Sequence, residues 1–228
     1  MPSIRILGGM HKQRTITIPH CEGLRPTAHR LRQSAFDILV HRFHKNRIGQ
    51  DNPWSGLRVL DVCAGMGGYG FEALSRGADH VTFIEQTPPL AKHILAVAKS
   101  WNIHDRVLVL NRHWPMDVLA GHPLYDVIFL DPPYDQSDTV MSAMIAACAS
   151  WINPDGILLV ESDKMFENIS EFTCVFHRAM GKKQLSFWQK SDLTPQEDPM
   201  TNLDEDPMDK SGPQEDPMDV FPNHTNAA

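Results

Sequence analysis

The chain has 228 residues, 42% of them hydrophobic, enough for one sizeable core with appendages. No apolar run approaches the roughly 18 residues needed to cross a bilayer, the opening MPSIRILGGMHKQR has no apolar leader segment, and four scattered cysteines (Cys21, Cys63, Cys148, Cys174) form no C-x-x-C pair, so no zinc site or disulfide framework is expected and a reducing, cytoplasmic compartment is. The net charge of -7 hides a segregation: residues 191–228 hold ten Asp/Glu against one Lys, while residues 1–58 hold ten Lys/Arg against three Asp/Glu, and a basic arm suits a phosphate-bearing partner.

In chain order, the runs IRIL and TITI, joined by a basic Gly-Gly-containing connection, read as a β-hairpin. In GLRPTAHRLRQSAFDILVHRF, Pro26 marks a helix start, and Leu31, Ala35, Phe36, Leu39, Val40 and Phe43 form an apolar helical stripe. His41 and His44 stand three apart there, which reads as a solvated helix face rather than a metal site. After the polar linker KNRIGQDNPWSG, strands (LRVLDV, HVTFIE, RVLVL, YDVIFLD, GILLVE) alternate with helical segments near 68–76, 88–101, 114–120 and 136–150. That alternation predicts an α/β fold with a mostly parallel sheet covered on both faces. EFTCVFHRAMGKKQLSFWQK then suggests a closing antiparallel pair. The expected division is a basic hairpin-plus-helix extension (1–56), an α/β core (57–190) and a tail (191–228). The tail repeats PQEDPM-like units and is too polar to offset its ordering entropy, so disorder is expected.

VLDVCAGMGGYGFEAL carries G-x-G-x-x-G at Gly65, Gly67 and Gly70, straight after a strand and opening a helix. Asp61 ends the strand, and an acid there accepts hydrogen bonds from an ammonium group or from the glycine loop itself. Glu85 ends the next strand, where a carboxylate accepts both ribose hydroxyls. The loop alone leaves open S-adenosylmethionine, NAD or a structural turn. The closing antiparallel pair points to a Rossmann-like class I S-adenosylmethionine-dependent methyltransferase sheet. YDVIFLDPPYD weighs in the same direction. An exocyclic amine on a base is a weak nucleophile, because its lone pair is delocalised into the ring. Asp131 offers a carboxylate to such an amine, Pro132 a backbone carbonyl held by the stiff Pro132–Pro133 unit, and Tyr134 a ring for stacking.

IRILGG, LRPTAHRLRQSAF, VLDVCAGMGGYGFEALSRGA, FIEQ, FLDPPYD, LLVES and GKKQLSFWQ together resemble the RsmD-type 16S rRNA guanine-N2-methyltransferases over about residues 3–190. The resemblance implies methylation of the exocyclic amine of one guanine in 16S rRNA, free or in a small-subunit assembly intermediate, by a cytoplasmic monomer using S-adenosylmethionine. By position it implies that Asp61, Ala64, Gly65, Gly67, Glu85 and His113 bind the cofactor, and that Asp131, Pro132, Pro133 and Tyr134 hold the guanine. Arg25 and Thr27 match the Arg-Pro-Thr element. With Arg5, Lys12, Arg14, Arg30 and Arg32 they make the expected RNA-contacting set. The chain departs from the pattern at His29, Gln33, Cys63, Met66 and His113-Trp114; Trp114 stands where it stacks either on adenine or into the core. Competing readings are a methyltransferase for a tRNA guanine, a DNA adenine or a protein glutamine, a non-catalytic RNA-binding relative, and an NAD oxidoreductase.

Overall fold

A computed structural model describes residues 3–17, 29–43, 52–113, 121, 123–133, 136–166, 169 and 171–191. The expected helix at 114–120, the Arg25-Pro26-Thr27 element, Tyr134 and the acidic repeats lie outside the described residues.

Among the described residues, nine strands and four α-helices form. Two strands make the expected N-terminal hairpin: β1 (Ser3–Arg5) pairs antiparallel with β2 (Thr15–Thr17), Ile4 opposite Ile16. The other seven are β3 (Arg58–Val62), β4 (His80–Ile84), β5 (Val107–Leu110), β6 (Tyr125–Leu130), β7 (Ile152–Ser162), β8 (Phe172–Met180) and β9 (Lys183–Lys190). They form one sheet in the order β5-β4-β3-β6-β7-β9-β8. The first five are parallel, and β9 is antiparallel to both β7 and β8. The sheet therefore ends as expected, with the last strand inserted between its two predecessors.

Period-two alternation divides the core into two layers. Val59, Phe83, Phe129, Leu159, Leu185 and Phe187 face one cluster, shared with the hairpin and with the helices α1 (His29–Ile38), α2 (Gly68–Arg76) and α3 (Pro88–Ser100). Leu60, Val62, Ile128, Leu130, Leu158, Val160 and Trp188 face the other, with Met141, Met144 and Ile145 of α4 (Asp138–Ala147). β7 begins four residues before the expected GILLVE run, because Ile152 already pairs with Tyr125 across a register shift. The stripe of α1 continues through one π-helical turn, Leu39–Phe43.

The hairpin docks on α2 through a buried carboxylate. Glu72 is fully buried. Its oxygens accept the backbone N–H groups of Leu7 (2.8 Å) and Gly8 (2.9 Å) and the Nε–H of Arg76 (2.8 Å). Arg32 Nε lies 3.8 Å from Glu72 Oε2, and the Arg32 guanidinium donates to the Arg5 carbonyl. This corrects the expectation for Arg32. It is only 1% exposed, so it holds α1 to the hairpin and α2 and does not present its charge to RNA. Gly9 (φ +76°) turns the hairpin where a Cβ would fall 1.7 Å from the Ser75 carbonyl oxygen, so no side chain fits there.

Replacing Glu72 by Gln removes the charge that faces Arg32 and Arg76. We expect Glu72→Gln to lower unfolding free energy by about 3 kcal/mol, the scale of breaking a buried ion pair from one side, read from urea midpoints. A loss below about 1 kcal/mol, the scale of a single hydrogen bond, would mean that Ile4, Ile6 and Ile16 dock the hairpin without this carboxylate.

Candidate active site

At the carboxyl end of β3 the chain reverses through Cys63 (φ 59°), Gly65 (φ 55°) and Gly67 (φ 75°) into α2. Gly70 sits one turn in, where a Cβ would come 2.2 Å from the Phe83 ring, so the helix lies close against β4. Asp61 is 2% exposed, and its Oδ2 accepts the Gly70 N–H at 2.8 Å. Burial pushes its carboxyl well above the ordinary carboxylate range; the Gly70 hydrogen bond opposes this, and the charges of Asp131 and Glu85 add to it. Glu85 accepts the N–H of Gly65 on Oε2 and that of Thr87 on Oε1, each at 2.7 Å. Asn111, which the sequence did not single out, donates its amide to the carbonyls of Glu85 (2.7 Å) and Gln86 (3.0 Å) and so anchors this strand end. Ala64 donates its N–H to the Ile84 carbonyl and accepts from Gly67 N–H. The geometry thus gathers Asp61, Ala64, Gly65, Gly67 and Glu85. His113 is exposed three residues beyond β5, and Trp114 lies outside the described residues.

This set fits an adenosyl sulfonium. A carboxylate oxygen has two acceptor sites, so Glu85 keeps capacity for ribose hydroxyls while holding its loop. A Cβ on Gly67 would meet Phe71 at 2.8 Å, so the loop backbone is free of side-chain bulk at its tightest point.

The second half of the site lies on the adjacent strand. Val62 pairs with both Ile84 and Leu130, and Leu130 with Val160. The next residues, Glu85, Cys63, Asp131 and Glu161, therefore continue one row across the carboxyl edge, about 4.8 Å apart per strand. Pro132 is buried and Pro133 exposed. Both line a shallow open cleft with Gln136, Glu161, Ser162 and Phe166.

Glu161 was not among the expected site residues, yet it ties the two halves together. It is 1% exposed. Its Oε2 accepts the Tyr69 hydroxyl (3.1 Å), and Lys183 Nζ lies 3.7 Å from Oε1. The Tyr69 ring, in the first turn of α2, stacks on Phe129 with centroids 4.7 Å apart. Burial, then the Asp131 charge, pushes the Glu161 carboxyl up to about 8. The sequence did carry a signal for it, because LLVES ends its strand at the level where FIE and FLD end theirs. The Cys63 thiol is pushed up to about 12 by burial and by Glu85, Asp131 and Asp61, so it is no nucleophile at neutral pH.

The expected RNA contacts are spread out. Arg5 and Arg30 are exposed, as is His29; Gln33 bonds Asp37 on the same helix. Lys12 and Arg14 are exposed on the hairpin connection, with the Arg14 guanidinium 5.5 Å from the Trp101 ring centroid. That connection is fastened to Ser75 in the last turn of α2, through Met10 N–H to the Ser75 carbonyl and His11 N–H to Ser75 Oγ. It lies at the amino end of the sheet, one helix length from Asp131. Arg25, Thr27 and Tyr134 are outside the described residues, so their contribution is not part of this geometry.

A family model described as "Conserved hypothetical protein 95" matches residues 4–189. The chain is 31% identical over 165 residues to "Ribosomal RNA small subunit methyltransferase D" of Escherichia coli, spanning 70% of this chain and 75% of the relative. The protein of the same name from Haemophilus influenzae is 29% identical over 164 residues, 71% of this chain and 79% of the relative. The fold superposes on the solved Escherichia coli yhhF structure with a TM-score of 0.68 at 24% identity, covering 83% of this chain and 99% of that one. With its class I sheet and its glycine loop beside Asp131-Pro132, the chain belongs to the Conserved hypothetical protein 95 family, the RsmD-type methyltransferases.

Proposed function

We propose that this chain transfers a methyl group from S-adenosylmethionine to the exocyclic N2 amine of a guanine in small-subunit ribosomal RNA. The observation that supports the reading is the shared row: the strand end bearing Asp131 adjoins the one bearing the Asp61–Gly70 loop, with Glu85 one strand further on, so a donor held by the loop and an amine held at Asp131-Pro132 meet at one edge. The cofactor, when bound, supplies an electrophilic methyl on a sulfonium sulfur. Asp61 and Glu85 hold the loop rigid through Gly70, Gly65 and Thr87. Asp131 and the Pro132 carbonyl accept hydrogen bonds from the amine and draw its lone pair out of conjugation. As the N–C bond forms, the methyl's bond to sulfur breaks and leaves a neutral thioether, and the nitrogen sheds one proton, with the Asp131 carboxylate as its acceptor. Catalysis of this kind is positioning plus electrostatics. The base reaches the edge by exposure in a loop or by flipping.

The direct test offers labelled S-adenosylmethionine to the purified chain with small subunits lacking this methylation, and with naked 16S rRNA. Label in one N2-methylguanine is the expected result. Label in tRNA or DNA, with none in rRNA, would replace the substrate.

Asp131→Ala should cut turnover by about 10²–10³-fold, the scale of losing one pre-organised polar group at the reacting centre, while calorimetry shows cofactor affinity nearly unchanged. Glu85→Ala should act the other way and weaken cofactor binding by about tenfold or more, since both the loop anchor and the ribose acceptor are lost. Glu161 gives a pH test. Its folded carboxyl lies at about 8 against an ordinary 4.5, so the stability it contributes is present below pH 4.5 and lost as pH rises through 8. Glu161→Gln cannot ionise, so its stability should lack that decline, a slope of at most about 1.4 kcal/mol per pH unit, in urea titrations from pH 5 to 8. Parallel pH curves for the two proteins would remove Glu161 as the titrating group.

A further inference from the structure

The row that begins with acids ends on a base. Glu161 pairs with Leu185 of β9, and Leu185 pairs with Arg178 of β8. Asp131, Glu161, Leu185 and Arg178 thus stand on successive strands, and three strand spacings place Arg178 about 15 Å from Asp131. They also share a face. Phe129, Leu159, Leu185 and Phe187 face the cluster that α1 and α2 cover, and Phe176 and Met180, on either side of Arg178, pack against the same cluster. Unlike Phe176 and Met180, Arg178 is exposed.

Further positive charge gathers at this end. The β8–β9 turn, closed by the Met180–Lys183 pair, projects at the carboxyl edge of the sheet, since Ser162 at the end of β7 pairs with Gln184. Lys182 is exposed on that turn, and Gly181 (φ +67°) beside it has open space where a Cβ would be. Arg42, in the π-helical turn after α1, is exposed, and its guanidinium lies 4.1 Å from the Phe176 ring centroid, a cation–π contact that fixes it over the same face as Arg178. Lys183 is turned inward to Glu161. Asp163 follows Ser162 at the same end.

We propose that Arg178, Lys182 and Arg42 form a docking surface for the backbone phosphates of the RNA strand that carries the target base, on nucleotides a few positions from it. The proposal rests on the RNA-methylating reading above. A polyanion needs contacts that fix register beside the pocket that selects the base. Lys12 and Arg14 stand at the other end of α2 and cannot serve the nucleotides next to the target, whereas Arg178 lies in the same row as Asp131.

The test uses the full chain and 16S rRNA at several salt concentrations, comparing the wild type with Arg178→Gln/Lys182→Gln. Both positions are exposed, so the fold should survive. We expect the dissociation constant for rRNA to rise about tenfold and the slope of log K against log[salt] to become shallower by about one per lost contact. Cofactor affinity should not change. Arg178→Lys should recover most of the slope. Lys190→Gln, which removes one charge at the opposite end of β9, should leave it untouched. If the double variant keeps the wild-type affinity and slope while the wild type methylates rRNA, the surface is wrong and the catalytic reading stands. Should the wild type neither bind nor methylate rRNA, both fall together. A loss equal in Lys190→Gln would show nonspecific charge attraction, and it would overturn the assignment to this end of the sheet.

Discussion

Mutual repulsion among carboxylates at one sheet edge is the constraint around which this molecule is arranged. Asp61, Glu85, Asp131 and Glu161 lie within one residue of the carboxyl ends of four of the five parallel strands, and their charges act on one another. Burying like charges together is costly unless each is hydrogen-bonded or neutralised. Here backbone N–H groups of the glycine loop answer two of them, through Gly70 to Asp61 and Gly65 to Glu85. Tyr69 donates to a third, Glu161, with Lys183 beside it. The N-terminus of α2, with its partial positive charge, starts at the same edge. The glycines therefore do more than clear space for a ligand: they bring donors into reach of carboxylates that the fold cannot otherwise hold.

Arg32 follows from the same constraint. Burial lowers its pKa, and the neighbouring Glu72 raises it. It is nonetheless placed where its charge also acts on Asp61, Tyr69 and Glu161. With Glu72 it forms a buried pair that joins the hairpin, α1 and α2 behind the site. An N-terminal segment that looks separable in sequence thereby shares a core with the sheet, since Ile4, Ile6 and Ile16 lie in the same cluster as Phe83 and Phe129.

Much of this was legible in the sequence, for a physical reason. Strands buried on both faces read as short β-branched runs, and a residue that ends such a run stands at the ligand-binding edge. Asp61, Glu85 and Asp131 are polar interruptions of that kind, Gly65 and Gly67 announce a turn with positive φ, and Gly70 a close approach of helix to strand. Glu161 ends its strand in the same way but lacks a distinguishing neighbour like the loop glycines or Pro132. Its part emerges only when Tyr69, 92 residues away, is brought to it. Arg32 shows the opposite failure. In a run with Arg25 and Arg30 its charge reads as surface, and nothing local reveals the Glu72 that draws it inside. The placement of Lys12 and Arg14 was equally hidden, because a basic turn does not say which end of a helix it will meet.

The sheet edge therefore has a polarity running across its strands. It is acidic from Glu85 to Glu161, apolar at Leu185 and basic at Arg178. A substrate complementary to that row must join a cationic or hydrogen-bond-donating group at one end to an anionic chain at the other. An adenosyl sulfonium and an exocyclic amine meet the acidic part, and a phosphate backbone meets the basic part. Because β9 is inserted antiparallel, the β8–β9 turn falls at the carboxyl edge, and this is what puts the base within reach of the acids. β8 runs in the same direction as β7, so Arg178 and Met180 at its end arrive at this edge too, and β9 starts back from it between the two.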